Sequence, residues 1–161
     1  MQGQPLRILN RTGEKMLLGI DPLLGPDVLY VLRAMGHGDD LIIADANFPA
    51  DAMARQTVFG RPLRIDGDIV SVMKAVLSVM PVDTFVDDAF GRMEVVGKPD
   101  EIPEVQREVG KLIADTATKM VGIERFAFYE RAKKAYAVIQ TQERRFYADF
   151  AVRKGVVPPG A

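Results

Sequence analysis

A short and wholly apolar run, Leu41-Ile42-Ile43-Ala44, restricts this chain to few kinds of fold. Four apolar residues in succession are too few for a buried helix and are typical of a strand that is covered on both faces. Such a strand needs packed layers above and below it. The run therefore predicts a layered α/β fold, and a carboxylate, Asp45, follows it at once.

The segments on either side of this run carry helical signals. Gly25-Pro26-Asp27 starts a helix, because proline suits the first helical turn, and Gly36 is placed to end it. Asp68 is the predicted N-cap of a second helix that reaches about Met80. The other predicted elements are a helix over 103–120, a short helix over 125–134, and strands over 92–96, 136–140 and 146–152, the last two joined by a turn over 141–145.

The alternation of strands and helices predicts an α/β fold with a central, largely parallel sheet that is flanked by helices. No stretch rich in proline, glycine and serine divides the chain, so residues 16–161 are predicted to form a single domain. Residues 1–15 are polar and lack periodicity, and we expect them to be an N-terminal extension.

The composition excludes several classes of function. A formal net charge of −1 gives no electrostatic reason for binding to nucleic acid or to a membrane. The chain has no cysteine and one histidine, which excludes disulfides and a histidine-rich metal site within one subunit. No apolar run approaches the roughly 18–20 residues that span a bilayer, and the first fifteen residues lack the apolar core of a secretory signal, so we expect a cytoplasmic protein.

Three local motifs have simpler interpretations than ligand binding. Gly36-His37-Gly38 is like part of a dinucleotide loop, but Leu41 stands where the third glycine belongs, and the loop precedes a strand. The pairs Asp39-Asp40 and Asp87-Asp88 are interpreted as solvated carboxylates in preference to a divalent cation site. Basic residues are concentrated after residue 124, but glutamates interrupt them, which favours a solvated face or a subunit interface over a nucleic-acid footprint.

Two side chains stand out as candidates for chemistry. Histidine exchanges protons readily near neutral pH, and the one histidine, His37, lies in a glycine-flanked loop. Asp45 follows the buried run, at the end of a strand where open α/β sheets bind ligands. Asn47-Phe48-Pro49 then adds an amide, an aromatic ring and a rigid turn, which suit the hydroxyls and C–H faces of a sugar. Spacing alone leaves a structural role open for both His37 and Asp45.

Several blocks of the sequence resemble the ribose pyranase and fucose mutarotase family, in particular its fucose mutarotase branch. The blocks occur in the family's order and span nearly all of residues 16–157. They are Gly19-Ile20-Asp21-Pro22-Leu23-Leu24, Met35 through Pro49, Arg125-Phe126-Ala127-Phe128-Tyr129-Glu130-Arg131-Ala132, Glu143-Arg144, Tyr147, and Lys154-Gly155-Val156.

The resemblance implies roles for individual residues. His37 corresponds to the catalytic acid/base histidine, Asp45 to a sugar-binding aspartate, and Arg125 to a position that contacts the substrate. Tyr147 matches the tyrosine of the family's Tyr-Gly-Asn or Tyr-Ala-Asn triplet, in which Asp149 here replaces the asparagine. An ionised aspartate only accepts hydrogen bonds, whereas asparagine also donates, so this replacement bears on which sugar is bound and how well.

The function that the resemblance implies is a cofactor-free mutarotase for a free monosaccharide, with L-fucose first and D-ribose second. It also implies a homo-oligomer, commonly a decamer, with sites at subunit boundaries, and neither a metal nor a cofactor. Two alternatives stay open: a non-catalytic monosaccharide-binding protein linked to sugar uptake, and a nucleotide-binding or regulatory α/β domain.

Overall fold

Helix and strand boundaries follow the local signals closely at the start of the domain. In the computed structural model, which describes residues 16–161, the first helix begins at Pro26 behind Gly25, and Asp68 accepts a hydrogen bond from the Ser71 backbone N–H as the N-cap of the third helix. The elements in chain order are α1 (Pro26–Ala34), β1 (Asp40–Ala44), α2 (Ala50–Ala54), β2 (Leu63–Arg64), α3 (Ile69–Leu77), β3 (Phe90–Met93), α4 (Glu104–Lys111), β4 (Met120–Ile123), α5 (Arg125–Lys133), β5 (Ala137–Gln140) and β6 (Phe150–Arg153).

The strands form one sheet in the order β2-β5-β1-β6-β3-β4. β1 pairs in parallel with β5, β5 with β2, and β3 with β4. β6 lies antiparallel between β1 and β3, with Asp40 opposite Arg153 and Ile43 opposite Phe150. The predicted α/β fold with a largely parallel sheet is confirmed, and β6 is its antiparallel exception.

Helices cover both faces of this sheet. α1, α3 and α4 pack on one face, where Leu41 and Ile43 of β1 point, and α2 and α5 pack on the other face, where Ile42 and Ala44 point. The four residues from Leu41 to Ala44 are fully buried, because the pleat sends alternate side chains into the two cores. This is the double burial that the apolar run predicts.

Three details of the predicted architecture are wrong. The helix predicted over 103–120, which is α4 in the structure, ends at Lys111 and not near Met120, which instead opens β4. The two closing strands do not pair with each other, because β1 lies between β5 and β6. The short elements α2, β2 and β4 are not predicted at all, since none of them is long enough to show a period.

The topology gathers several loops at one edge of the sheet. The carboxyl ends of the parallel strands β1, β3, β4 and β5 meet there, and the antiparallel β6 begins there. Asp45 leaves β1 at this edge, and Asp149 enters β6 beside it. His37 precedes β1 and therefore lies at the opposite edge. The predicted extension over 1–15 falls outside the described residues.

Candidate functional site

A cavity of about 280 Å³ opens at the carboxyl edge of the sheet. It is built by the loop after β1, the loop after β3, the start of α5 and the loop before β6. Its lining consists of Asp45, Asn47, Phe48, Pro49, Met93, Val96, Arg125, Tyr129, Phe146, Tyr147 and Asp149. Four of the five side chains predicted to act on a ligand therefore share one cavity, and the fifth, His37, does not line it.

Asp45 and Asp149 form a buried pair of acids in this cavity, each about 4% exposed. The backbone N–H of Asp45 donates to Oδ1 of Asp149 at 3.0 Å, and the backbone N–H of Asn47 donates to Oδ1 of Asp45 at 2.9 Å. Each of the two acids affects the titration of the other, so their carboxyl groups lie close together. Among residues 16–161, no lysine, arginine or histidine makes a salt bridge to either carboxyl.

This environment changes how both acids titrate. Burial raises the pKa of Asp45 above its ordinary value, although the backbone N–H of Asn47 acts against that rise. Burial raises the pKa of Asp149 much further, and the like charge of Asp45 adds to the rise. Two carboxyls that share one site cannot both ionise easily, and of the two it is Asp149 whose pKa is raised further.

Tyr147 has an unusual backbone for its residue type. Its φ of +61° lies in the left-handed region, which non-glycine residues seldom adopt. Two hydrogen bonds hold it there: Gln106 Nε2 donates to the Tyr147 carbonyl at 2.8 Å, and the Val96 backbone N–H donates to the phenolic oxygen at 3.2 Å. A strained backbone next to a cavity is characteristic of functional sites, because the surrounding structure must maintain it.

Gln106 is a positioning residue that the sequence did not suggest. It is fully buried on α4, and its Nε2 donates both to the Met93 carbonyl at 2.7 Å and to the Tyr147 carbonyl. Its Oε1 accepts from the guanidinium of Arg92, which is 6% exposed. One amide thus joins the end of β3 to the loop before β6. The one signal for it in the sequence was a glutamine next to the apolar stripe of a predicted helix.

The opposite wall of the cavity is aromatic and basic. Arg125 begins α5, and its Nε donates to the Tyr129 hydroxyl at 3.2 Å, with the guanidinium 5.5 Å from the centre of that ring. Phe48 packs against Tyr129 and against Phe128, at 5.9 and 6.0 Å between ring centroids. Glu124 caps the helix by accepting from two backbone N–H groups, which fixes the position of Arg125.

His37 lies at the other edge of the sheet. Its Nε2 is 3.2 Å from Oδ1 of Asp83, and its ring meets Phe85 edge to face at 5.3 Å. The loop is fixed by Gly38, whose φ of +89° suits glycine and whose N–H donates to the Lys154 carbonyl. The His37 side chain is 43% exposed, whereas Asp83 is buried.

Within one subunit, His37 cannot reach Asp45. The five residues of β1 lie between them, and a strand advances about 3.3 Å per residue, so the two side chains are separated by roughly 16 Å. The structure therefore divides the predicted site residues into a cavity group of four and a histidine that faces solvent elsewhere. Asp83 beside the histidine was not anticipated from the sequence.

The cavity has no sign of a metal centre. No cluster of three or more histidine, aspartate or glutamate side chains that could hold a metal ion occurs within residues 16–161. A second opening of about 700 Å³, lined among others by Arg64, Gln140 and Arg144, adjoins the cavity and shares Asn47 and Phe146 with it.

The helices in the described part of the chain are too short or too polar to cross a membrane.

Comparison with known proteins shows which family the chain is from. The chain matches the RbsD / FucU transport protein family over residues 18–157. It belongs to this family. Membership confirms the resemblance from which the residue roles were inferred, and the fold is the one seen in solved structures of the family.

Individual relatives cover nearly the whole chain. Human fucose mutarotase is 40% identical over an alignment of 147 positions, and the alignment covers 88% of this chain and 94% of the human protein. The crystal structure of fucose mutarotase from Streptococcus pneumoniae in complex with L-fucose is 36% identical, covers 88% of this chain and all of its own, and has a TM-score of 0.78. A candidate sugar-binding protein of known crystal structure is 53% identical, with a TM-score of 0.86 over 91% of this chain and all of its own.

Proposed function

We propose that this chain is a sugar mutarotase that interconverts the α and β anomers of a free monosaccharide, with L-fucose as its substrate. The cavity that joins Asp45, Asp149, Tyr147 and Arg125 to an aromatic wall is the observation that carries the proposal. Carboxyl, hydroxyl and guanidinium groups bind sugar hydroxyls, and an aromatic ring covers the C–H face. Relatives of 36–40% identity that are named fucose mutarotase support the choice of sugar.

The reaction needs only a base and an acid. The anomeric hydroxyl loses a proton while the ring oxygen gains one, the bond between C1 and the ring oxygen breaks, and C1 becomes a carbonyl carbon. Rotation about the C1–C2 bond and the reverse proton transfers then close the other anomer. Pyranose and furanose forms exchange through the same open chain. No electron, hydride or phosphoryl group moves, so the step itself requires no cofactor.

The residues divide these tasks. His37 serves as the catalytic acid/base, which typically contributes about 10²–10⁴-fold to a rate. Asp45, Asp149 and Tyr147 hold sugar hydroxyls, and Arg125 polarises or holds an oxygen. The proposed enzyme acts in the cytoplasm, in carbohydrate metabolism.

The separation of His37 from the cavity leads to a two-subunit site. We propose a homo-oligomer, a decamer as the family resemblance implies, in which His37 of one subunit reaches the cavity of a neighbour. Large apolar side chains are exposed beside both half-sites: Phe85 next to His37, and Phe126 and Phe146 next to the cavity, at 70%, 69% and 74% exposure. Exposed apolar groups of this kind mark surfaces that associate.

Exchange spectroscopy of the anomeric protons tests the activity. L-Fucose and D-ribose are measured separately with wild-type protein and with His37→Ala. We expect faster α/β exchange of L-fucose with the wild type, and loss of that acceleration in the variant. An exchange rate in His37→Ala equal to that of the wild type would falsify the assignment of the histidine. Saturable binding of L-fucose without accelerated exchange would favour the sugar-binding alternative instead.

A mixing experiment tests the two-subunit site. His37→Ala and Asp45→Ala each damage one half-site, so each homo-oligomer is expected to be inactive. Co-expression produces mixed oligomers in which about one quarter of the sites combine two intact halves, if subunits associate at random. Exchange activity should therefore return to about one quarter of the wild-type value. A mixture that stays inactive, or a monomer in light scattering, would contradict the shared site.

A further inference from the structure

The carboxyl groups of Asp45 and Asp149 are buried beside each other, and no basic side chain within residues 16–161 forms a salt bridge with either of them. We propose that this pair shares a single proton at neutral pH, and that Asp149, as the neutral acid, donates it in a hydrogen bond to a hydroxyl of the bound sugar. This rests on the proposed function for the identity of the ligand, whereas the shared proton itself does not. The chain would then use a carboxylic acid where an amide donor would otherwise be needed.

Backbone hydrogen bonds and burial hold the two acids side by side. Oδ1 of Asp149 already accepts from the Asp45 backbone N–H, and Oδ1 of Asp45 accepts from the Asn47 backbone N–H. Both residues are 4% exposed, so the two acids lie beside each other away from water. Two adjacent carboxylates repel each other in a buried site, which favours the state in which one of them is protonated.

The groups packed around the pair do not supply a compensating charge. From α5, Arg125 donates to Tyr129, and its side chain stays exposed. From the loop before β6, the Tyr147 hydroxyl accepts from Val96. From β3, the Met93 backbone N–H donates to the Asp149 carbonyl.

Two further side chains near this edge are engaged elsewhere. Glu94, which follows β3, has its carboxylate against Gly122 of β4. Glu143, whose carbonyl accepts from the Ala46 N–H, pairs its carboxylate with Arg145. The neighbouring charge that raises the pKa of Asp149 is therefore the negative charge of Asp45.

Asp149 is the partner that holds the proton. Burial, followed by the negative charge of Asp45, raises the pKa of Asp149 well above that of an ordinary aspartate. Asp45 has the Asn47 and Phe48 backbone N–H groups to support an anion, which limits the rise in its own pKa. The assignment follows the general rule for carboxyl pairs, in which one acid ionises normally and the other at much higher pH.

Infrared difference spectroscopy tests the shared proton without any sugar. The wild-type spectrum at neutral pH should contain the C=O stretch of a protonated carboxylic acid, and Asp149→Asn should lack it. Asp27→Asn is the matched control, because it makes the same chemical change at a side chain that is 59% exposed and paired with Arg61. Absence of the band from the wild type overturns the proposal. If Asp149→Asn does not fold, carboxyl ¹³C shifts of aspartate-labelled wild type decide the same question.

The affinity for L-fucose as a function of pH tests the use of that proton. Wild-type affinity should fall as pH rises and Asp149 ionises, with a tenfold loss per pH unit as the limit for one proton. Asp149→Asn should lack this fall, because an amide donates at every pH. The same alkaline fall in both proteins overturns the proposed donor. A carboxylic acid band in a protein that binds no L-fucose leaves the shared proton standing and overturns the proposed substrate instead.

Discussion

A carboxyl lies at each end of β1, the partly buried Asp40 at its start and the buried Asp45 just after it, and their surroundings shift the two pKa values in opposite directions. Burial alone would raise the pKa of Asp40, but Arg131 and Arg153 hold it below its ordinary value. Burial also raises the pKa of Asp45, and there the neighbour is another acid, Asp149. The strand thus has a network of ion pairs at its amino end and two adjacent acids at its carboxyl end.

The ion pairs at Asp40 stabilise the fold, whereas the acid pair of Asp45 and Asp149 does not. Arg131 binds Asp40 through two hydrogen bonds of 2.9 Å, and Arg153 adds two more at 3.2 and 3.3 Å. Every charge in that network has an opposite partner, so the network ties α5 and β6 to β1. Within residues 16–161 the acid pair has no such partner, so its burial lowers the stability of the fold. Proteins keep an arrangement of that kind where a ligand uses it.

Replacement of Asp40 should give the largest loss of stability. Asp40→Leu leaves the guanidinium groups of Arg131 and Arg153, 14% and 22% exposed, without their central carboxylate. We expect the free energy of unfolding to fall by about 3 kcal/mol, the cost of breaking a mostly buried pair. Urea denaturation followed by circular dichroism measures it at fixed protein concentration. Asp27→Leu breaks an exposed pair with Arg61 and should cost about 0.5 kcal/mol, so equal losses in the two variants would contradict the comparison.

At the carboxyl edge, Gln106→Leu should have the next largest effect. The substitution leaves the Met93 and Tyr147 carbonyls and the Arg92 guanidinium without their shared partner. Arg92 keeps its hydrogen bonds to the Pro99 and Glu101 carbonyls, so the two orphaned groups are the Met93 and Tyr147 carbonyls. At the lower end of the usual cost of about 1–3 kcal/mol for each, we expect a total loss of about 2–3 kcal/mol in unfolding free energy.

The cavity should lose affinity for L-fucose in the same variant, because Tyr147 no longer has both bonds that hold its left-handed backbone. Titration calorimetry measures that affinity. Gln142→Leu removes an amide that is exposed and bonded to Asp66, so it serves as the control. Normal affinity in Gln106→Leu would show that the site does not depend on this amide.

At the amino edge, Asp83→Asn should affect catalysis more than stability. Hydrogen bonding from the Phe85 backbone lowers the pKa of Asp83, despite its burial, so it is an anion beside His37. A hydrogen bond to a charged group is worth about 1.5–3 kcal/mol, so the exchange rate should fall at least about tenfold. The affinity for L-fucose should change little, and the pH profile of the rate should shift. A fall in affinity with an unchanged profile would indicate a merely structural role.

Much of the fold was accessible from the sequence because its signals are local. The start of α1, the Asp68 cap and the doubly buried β1 each depend on a few neighbouring residues. The predicted helix over 103–120 was too long because Leu112 and Ile113 continue its apolar stripe, although they lie in turns after Lys111. The insertion of β1 between β5 and β6 depends on long-range pairing, which no local pattern encodes.

The candidate site could be predicted from the sequence to a similar degree. Asp45, Arg125, Tyr147 and Asp149 were predicted together, and the structure places them around one cavity. The separation of His37 from them follows from its place before β1, with Asp45 after it, and this could have been deduced from the predicted strand alone. Gln106 and Asp83 act through contacts with residues that are distant in sequence, so their positioning roles needed the structure.

The pH dependence of stability is the smallest effect when it is counted per pH unit, and it has opposite signs at the two ends of β1. The pKa of Asp40 is lowered by folding, so its contribution is present above the unfolded value and is lost as pH falls. The pKa of Asp149 is raised by folding, so its contribution is present below the unfolded value, about 3.9, and is lost as pH rises through the folded value.

Asp149→Asn removes the contribution of Asp149 to the pH dependence of stability and leaves that of Asp40. We therefore expect its free energy of unfolding, relative to that of the wild type, to increase steadily as pH rises from about 4 to neutrality and beyond, by at most about 1.4 kcal/mol per pH unit. Urea denaturation across a pH series at one protein concentration measures this difference. A difference that stays constant with pH would mean that Asp149 ionises alike in the folded and unfolded chains, and the contrast between the two ends of β1 would then rest on Asp40 alone.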